Sequence, residues 1–337
     1  MIKSNFPKFN RLLALLVLFL PLTLFAQETI QKPAATPVAN SRFLLPERKT
    51  ESKITGGETQ EFAVVLAENE FARVAYEKLF NQLDVGVYNP QGELIAQVGF
   101  SQLKSIVFAA RRAGEYRVRF KASLKPGDTA AYFITLAEKR PVKTGDENLI
   151  KAQTLFAEAA EITRQASLES RETGIIKYRQ AAEIWLAANE TAAAGAAFNS
   201  LGVIQFQLSR FSDALKSYEQ AGRLLKPGSF EQAIALGNSG AAQLSFGNLQ
   251  KAFDAYNEAL PAIKAEKEHA IEALFLNNIG KIYERADSPR AMEFYEQALA
   301  AALKTNDARA EATIRVNTGG RLVDLRQYER AAALFKR

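Results

Sequence analysis

The stretch Asn277–Ala300 reads NNIGKIYERADSPRAMEFYEQALA. Most of its residues are good helix formers, and its apolar side chains recur at helical rather than strand spacing. Within it, Ala291 follows Gly280 by about three helical turns, and Tyr295 follows Ala291 by about one turn. The stretch therefore predicts helical structure marked by two small residues and one aromatic residue at fixed spacing.

The same pattern recurs from residue 199 to the end of the sequence. A glycine returns at nearly constant intervals, an alanine follows each glycine at nearly the same distance, and an aromatic residue follows each alanine one helical turn later. The columns are Gly202, Gly240, Gly280 and Gly319; Ala214, Ala252, Ala291 and Ala331; and Tyr218, Tyr256, Tyr295 and Phe335. A degenerate earlier unit contains Tyr178, one period before Tyr218. Because the glycine, alanine and aromatic positions recur together at the same spacing, they predict a structural repeat of about 40 residues.

This pattern resembles the tetratricopeptide repeat, in which each unit is a pair of antiparallel helices that stacks on the next unit. The resemblance implies an all-α helical solenoid over residues 147–337, in which small residues let paired helices approach closely and an aromatic residue fills the gap to the next pair. The period exceeds the usual ~34 residues, so the helices or their connections are extended. The last repeat is truncated in this sequence, and we expect Leu322, Leu325, Leu334 and Phe335 to be partly exposed.

The resemblance also indicates where a partner would bind. In tetratricopeptide arrays the concave surface is built from the first helices of the pairs, which here points to Asn199, Val203, Phe206, Gln207, Asn238, Ala241, Leu244, Asn277, Lys281 and Glu284. Val203 and Leu244 are equally well interpreted as core residues, because apolar residues at helical spacing usually pack. Family members that clamp a terminal carboxylate use Lys, Asn and Arg on neighbouring inner helices, whereas Val203 and Leu274 stand where a donor and a cation belong. We therefore expect recognition by shape and mixed polarity.

Between residues 54 and 138 the apolar residues alternate in short runs separated by turns, which is typical of half-buried strands. The segment Asn89-Pro90-Gln91-Gly92 predicts a tight connection between two runs, because proline suits the second turn position and glycine the fourth. Several short strands predict an antiparallel β-sandwich over residues 51–140. The chain is thus expected to be multidomain, a β-sandwich followed by the helical solenoid.

The order of the strand-like runs resembles the bacterial pre-peptidase C-terminal type of β-sandwich. The resemblance is carried by a Gly-rich start at Gly56-Gly57, by DVGVYNPQGELIA at residues 84–96, and by AGEYRV at residues 113–118. The alternation of apolar residues predicts a β-sandwich, and this resemblance implies a family for it.

The N-terminal segment has the features of a secretory leader. Basic residues precede an uncharged apolar stretch that runs from residue 12 to residue 25 and ends at Ala26. A membrane-spanning helix needs roughly 20 apolar residues, so this stretch is too short to cross a bilayer comfortably. We predict a signal peptide over residues 1–26, with an uncleaved anchor as the alternative, and a linker over residues 27–50. Export places the protein in the periplasm or outside the cell.

Composition excludes several classes of function. The formal net charge is +6, and because the predicted signal carries three of the basic residues, only +3 remains on the mature chain. Such a small, scattered excess argues against nucleic-acid binding. The chain has no cysteine, which excludes disulfides, thiolate metal sites and a cysteine nucleophile.

No set of residues predicts catalysis, a metal site or a cofactor. His269 is the only histidine, and its place at the start of a first helix suits a solvated polar residue. The glycine pairs lack the lysine or the strand-to-helix context of a phosphate loop. Arg117, Arg119 and Lys121 alternate with apolar residues, so they project from one sheet face; a solvated outer face is favoured over an anion site there.

The order of leader, β-sandwich and repeats resembles the front half of bacterial tetratricopeptide proteins that end in a caspase-like CHAT domain. In that family the catalytic His and Cys lie in the C-terminal domain, which is missing from this sequence, so peptidase activity does not carry over. We therefore predict an exported, non-enzymatic scaffold that binds a protein or peptide partner on its concave face, with no stable membrane span after signal cleavage. The alternative is the regulatory or substrate-recruiting portion of a longer caspase-like peptidase. Carbohydrate or peptide binding by the sandwich alone is a third hypothesis.

Overall fold

The computed structural model describes residues 42–77, 83–99, 103–286, 288–305 and 308–335. The predicted signal peptide and the first part of the predicted linker lie outside these residues. Across the described ranges, none of the helices combines the length and the apolar character that crossing a membrane requires.

The described part of residues 42–141 forms two β-sheets that pack face to face. Its strands are β1 (Arg42–Phe43), β2 (Thr50–Thr55), β3 (Thr59–Leu66), β4 (Glu70–Glu77), β5 (Leu83–Tyr88), β6 (Leu94–Val98), β7 (Ser105–Ala109), β8 (Gly114–Ala122) and β9 (Thr129–Pro141). One sheet has the order β1-β3-β8-β5-β6, and the other has the order β2-β9-β4-β7. Neighbouring strands are antiparallel except for β1, which runs parallel to β3. The predicted sandwich is confirmed.

Aromatic side chains fill the space between the two sheets. Alternate residues of each strand point inward, and on β8 the buried residues Tyr116, Val118 and Phe120 alternate with more exposed neighbours. The ring of Phe120 lies 5.5 Å from that of Tyr132 on the opposite sheet and 5.7 Å from that of Tyr76. Edge-to-face and tilted ring pairs of this kind add to the stabilisation that burial provides.

The predicted turn forms, whereas part of the predicted linker belongs to the sandwich. The main-chain N–H of Gly92 donates to the carbonyl of Asn89 at 2.9 Å, and Gly92 has a φ of 79°, so the turn between β5 and β6 forms as expected. Residues 42–50, assigned to the linker, instead extend the sandwich: β1 pairs with β3 and Leu44 is buried. The sequence did not predict this contact for two reasons. The segment is rich in proline, and a two-residue strand is too short to show an alternation of apolar residues.

Residues from 146 onward form ten helices in the described ranges. They are α1 (Asp146–Thr163), α2 (Leu168–Ala187), α3 (Thr191–Gln207), α4 (Phe211–Leu224), α5 (Phe230–Ser245), α6 (Leu249–Ala265), α7 (His269–Arg285), α8 (Ala291–Ala302), α9 (Ala308–Asp324) and α10 (Tyr328–Phe335). Consecutive helices pair as α1 with α2, α3 with α4, α7 with α8 and α9 with α10. Each pair from α3 onward corresponds to one unit of the sequence repeat.

The glycine and aromatic columns meet inside each helix pair. A Cβ atom on Gly280 of α7 would lie 2.7 Å from the ring of Tyr295 on α8, and Gly202, Gly240 and Gly319 have the same relation to Tyr218, Tyr256 and Phe335. Tyr256 also reaches the following pair, where its hydroxyl accepts a hydrogen bond from Asn278 at 2.9 Å and its ring lies 5.3 Å from that of Phe275. The aromatic residue therefore fills the gap within its own pair as well as the gap to the next.

The end of the helical array agrees in part with the expected exposure. Leu325 and Phe335 are exposed, and Leu334 is partly exposed, whereas Leu322 is buried. Leu322 lies in the same turn of α9 as Gly319, the residue that contacts the Phe335 ring. The pairing of α9 with α10 explains why this leucine is covered.

The sandwich and the first helices share one hydrophobic core, which runs from Leu44 in the strands to Ile204 in α3. Gln153 of α1 joins them most directly. Its side-chain Oε1 accepts from the main-chain N–H of Val107 at 2.8 Å, and its Nε2 donates to the Val107 carbonyl at 3.1 Å. Val107 lies on β7, an edge strand, so one amide side chain takes the place of a further strand.

Three basic residues of the sandwich reach acidic residues near the N-terminal ends of α1, α3 and α5. Arg140 binds Asp146 at 2.7 Å, Arg73 binds Glu190 at 2.5 Å, and Lys104 binds Glu231 at 2.6 Å. The Arg140 guanidinium lowers the pKa of the Asp146 carboxyl. The sandwich is thereby attached to three successive first helices.

The chain divides into two compact units. Among the described residues, the first ends at Leu236 and the second begins at Gly237, inside α5. The first unit thus contains the sandwich together with α1 to α4.

We expect Gln153→Ala to lower the free energy of unfolding by about 1–3 kcal/mol, because it leaves a buried N–H and a buried carbonyl of β7 unsatisfied. Urea unfolding followed by Trp185 fluorescence measures this, since the Trp185 ring packs 5.6 Å from that of Phe156, which lies on α1 with Gln153. Gln91→Ala, in an exposed turn, is the matched control. Equal midpoints for both variants would contradict the structural role of Gln153.

Gly280→Ala is expected to lower the free energy of unfolding by about 1–3 kcal/mol, because the new methyl group would overlap the buried Tyr295 ring. Gly320→Ala, on the exposed side of α9 with nothing within 4 Å of its Cβ, should instead raise it by roughly 0.5–1 kcal/mol through helix propensity. Urea unfolding followed by circular dichroism compares the two. A loss of the same size in both variants would show that the glycine–tyrosine contact is not the cause.

Candidate functional site

A row of three polar residues follows one face of α7. Asn277, Lys281 and Glu284 are spaced four and three residues apart, which places them on the same stripe of the helix. The side-chain Nδ2 of Asn317 on α9 donates to Oδ1 of Asn277 at 2.9 Å, so this stripe faces α9. Arg321 lies four residues after Asn317, on the corresponding stripe of α9. We call these five residues the α7–α9 polar cluster.

Lys281 is the unusual member of the cluster. Only 7% of its surface is exposed, and its ammonium has neither a hydrogen-bond nor an ion-pair partner among the described residues. Burial lowers the pKa of Lys281, and the neighbouring charge of Glu284 opposes this lowering only in part. Removing an ammonium group from most of its water is unfavourable, so the burial of Lys281 lowers the stability of the fold.

Other contacts hold the charges around Lys281 in place. The Tyr295 hydroxyl donates to Oε2 of Glu284 at 2.7 Å, and burial together with this hydrogen bond raises the pKa of Tyr295. Nη1 of Arg285 donates to the carbonyl of Leu244 at 2.7 Å. The Glu284 carboxylate thus binds the Tyr295 hydroxyl, and it compensates the positive charge of Lys281 only in part.

Comparison with known proteins identifies the type of helical array. The family model for the tetratricopeptide repeat matches residues 231–304. Among solved structures, the apo form of RapI is similar, with 12% identity, a TM-score of 0.50 and coverage of 55% of this chain and 68% of that chain. The helical half of this chain consists of tetratricopeptide-like repeats.

Two further solved structures are similar to the tetratricopeptide-like region. BtubC from P. vanneervenii has 17% identity and a TM-score of 0.43, covering 57% of this chain and 89% of that chain. The nearly identical TPR-like repeats from Podosopora anserina have 14% identity and a TM-score of 0.46, covering 55% of this chain and 93% of that chain. No curated protein sequence matches the chain.

Seven of the ten residues predicted to bind a partner are buried in the tetratricopeptide-like repeats. They are Asn199 and Phe206 of α3; Asn238, Ala241 and Leu244 of α5; and Asn277 and Lys281 of α7. Val203, Gln207 and Glu284 are partly exposed. Phe206 packs against Phe211 with ring centroids 5.0 Å apart, which is a core contact. The role of all ten in binding stays a prediction.

The cluster includes residues that the sequence reasoning did not select. Asn317 and Arg321 lie in the last repeat, and Tyr295 was assigned only a packing role. A signal for Asn317 was present, because Asn238, Asn278 and Asn317 each precede a repeat glycine by two residues. The charge of Arg321 acts on Tyr295 only because α8 and α9 pack together, which spacing within one helix does not reveal.

The remaining candidate residues have ordinary environments. His269 begins α7, and its Nδ1 lies 3.0 Å from Oε2 of Glu272 one turn later. Arg119 pairs with Glu61 at 2.6 Å and lies over the Tyr88 ring, while Arg117 pairs with Glu115 at 3.4 Å. Intramolecular pairs therefore occupy much of this basic sheet face. In the described residues no three His, Asp or Glu side chains group as metal ligands would.

Lys281→Met is expected to raise the free energy of unfolding at neutral pH by at least about 1 kcal/mol, because it removes an unpaired buried charge. The advantage should shrink as the pH rises toward 10.5, the ordinary lysine pKa: with a lowered pKa, the folded chain releases this proton before the unfolded chain does, so the wild type gains stability over that range.

Urea unfolding at several pH values measures both effects. Lys304→Met, at an exposed position after α8, is the control and should change little. A Lys281→Met variant that is no more stable than the wild type would show that the lysine has a partner in solution.

Proposed function

We propose that this chain is an exported, non-catalytic scaffold that binds a protein or peptide partner on the first helices of its tetratricopeptide-like repeats. The observation that carries the proposal is the α7–α9 polar cluster, where a first helix presents a largely buried lysine whose charge Glu284 compensates only in part. Positions that lower stability without an evident structural gain are characteristic of functional sites.

The repeat architecture supports an interaction role. In repeat proteins of this kind each unit contacts its neighbours, and the first helices of successive units present a row of side chains rather than one enclosed pocket. Polar residues along that row supply the directional contacts that a peptide backbone or side chain needs. We propose neither a cofactor nor a nucleic-acid ligand for this surface.

Export is part of the proposal and depends on the leader-like N-terminal sequence. The periplasm or the extracellular space is the proposed location. The alternatives are a role for the chain as the regulatory or substrate-recruiting portion of a longer caspase-like peptidase, and carbohydrate or peptide binding by the sandwich alone. No contact among the described residues favours the first of them.

A photo-crosslinking experiment tests the binding surface. Benzoylphenylalanine replaces Val203 or Gln207, the partly exposed positions on α3, in the full chain expressed in its native host. The matched control is Lys216, an exposed position on α4, the second helix of the same pair. We expect one discrete adduct from each α3 position and none from position 216, because only the first helices form the proposed surface.

Mass spectrometry of the adducts identifies the partner, and fractionation by osmotic shock locates it. Equal adducts from α3 and from position 216, or none at either α3 position, would contradict binding on the first helices. Recovery of the chain with the cytoplasmic fraction would contradict export.

A further inference from the structure

We propose that the outer face of the five-stranded sheet binds an extended, uncharged glycan chain, in addition to the partner proposed for the helices. Strands rather than helices form this face, so the glycan site does not depend on the proposed scaffold function. It depends on the side chains that the strand register brings together on the side of the sheet that faces away from the sandwich core.

One row of side chains crosses all five strands on this face. Phe43 of β1 lies opposite Ala63 of β3, which lies opposite Arg117 of β8. Tyr88 of β5 lies opposite Arg117 on the other side and opposite Leu94 of β6. The row spans four gaps of about 4.8 Å between strands and is roughly 19 Å long, about the length of four hexose rings. We call these five residues the sheet row.

Large apolar side chains of this face are exposed. In the sheet row, Phe43 is 58% exposed and Leu94 is 48% exposed, whereas Ala63, between Phe43 and Arg117, is buried. Leu45 and Val65, each two residues further along the chain than a member of the row, are more than half exposed. Exposed apolar side chains that adjoin one another, unlike scattered ones, mark an interaction surface.

The charged side chains of the same face balance one another. Among its described residues, each of three basic side chains has an acidic neighbour on the face; the pairs are Arg117 with Glu115, Arg119 with Glu61 and Lys121 with Asp84. A phosphate group or an acidic polymer would therefore meet no surplus of positive charge here. The balance favours an uncharged ligand.

The polar groups beside the sheet row suit a ligand with hydroxyl groups. The Arg117 guanidinium donates hydrogen bonds and the Glu115 carboxylate accepts them, and both side chains are partly exposed. A hydroxyl group donates and accepts, so one sugar ring can bind both members of this pair. Sugar rings also have faces of C–H groups that pack against an exposed aromatic ring such as Phe43. Apolar and polar contacts are thus available along the same row.

A peptide fits this face less well than a glycan does. Extended peptides commonly bind a sheet by adding a strand at its edge, where their main chain finds unpaired partners. The strands beneath the middle of the sheet row already pair with each other on both sides, so their main-chain groups are not available. Because the row runs directly across the strands, an extended β-1,4-linked chain matches it better than a curved α-1,4-linked chain.

Calorimetric titration of the full chain with cellohexaose and with chitohexaose, both uncharged β-1,4-linked glycans, tests the inference. We expect at least one of them to bind. Its affinity should rise from the disaccharide to the tetrasaccharide of the series and then level off, because the sheet row accommodates about four rings. Maltohexaose, a curved α-1,4-linked glycan, should bind about tenfold more weakly or not at all.

Variants of the sheet row separate a glycan site from non-specific adsorption. Phe43→Ala should weaken glycan binding by about tenfold, because it removes the most exposed ring of the row. Phe43→Tyr should keep the binding, since an aromatic ring remains. Leu168→Ala, which removes an exposed apolar side chain of α2, is the matched control and should leave the affinity unchanged. Circular dichroism confirms that each variant is folded.

Several outcomes would overturn the glycan site. These are the absence of binding by both β-1,4-linked glycans, and equal binding by the wild type and Phe43→Ala. Tighter binding of polygalacturonate than of either neutral glycan would overturn the choice of an uncharged ligand. Self-association that Phe43→Ala abolishes, in a chain that binds no glycan, would assign this face to a second copy instead. None of these outcomes changes photo-crosslinking at α3, which tests the scaffold function.

Discussion

The contact between a glycine on one helix and an aromatic ring on the next is the constraint on which the helical half depends. Without a Cβ atom, Gly280 lets the Tyr295 ring lie directly against α7, and the same arrangement recurs at Gly202, Gly240 and Gly319. The ring position has a chemical consequence. Because Tyr295 cannot move away, its hydroxyl fixes Glu284, and the fixed carboxylate leaves Lys281 without a close counter-ion among the described residues. A packing requirement thus determines the electrostatics of the proposed site.

The sequence predicted the architecture where a feature repeats or alternates. The glycine, alanine and aromatic columns located four helix pairs, and the alternation along β8 located the inward face of a strand, because both signals recur at regular spacing in the sequence. The contribution of residues 42–50 escaped prediction, since β1 has only two residues. Gln153 escaped it as well, because an amide that completes a distant edge strand has no local signature.

The residues of the candidate site also fall into two groups, those that the sequence analysis selected and those that it did not. Asn277, Lys281 and Glu284 were selected because the resemblance to tetratricopeptide arrays places the inner surface on first helices, whereas Asn317 and Arg321 depend on how the next pair stacks. Spacing also could not show that most of the selected residues are buried. Residues on the stripe of a first helix also pack against the next first helix. Asn277 of α7, which is buried and accepts a hydrogen bond from Asn317 of α9, is an example. The same side chains are therefore needed both for packing between helices and for the proposed binding of a partner.

The amide of Gln153 has a consequence for how the protein behaves in a crowded solution. An edge strand presents unpaired main-chain groups to which a strand of another molecule can hydrogen bond, and natural sheets protect such edges. At the middle of β7 the protection consists of one side chain from α1, which occupies both the N–H and the carbonyl of Val107. Any event that lifts α1 from the sheet, including incomplete folding after synthesis, opens this edge. While α1 is in place, its amide side chain occupies two main-chain groups of Val107 to which a strand of another molecule could otherwise hydrogen bond.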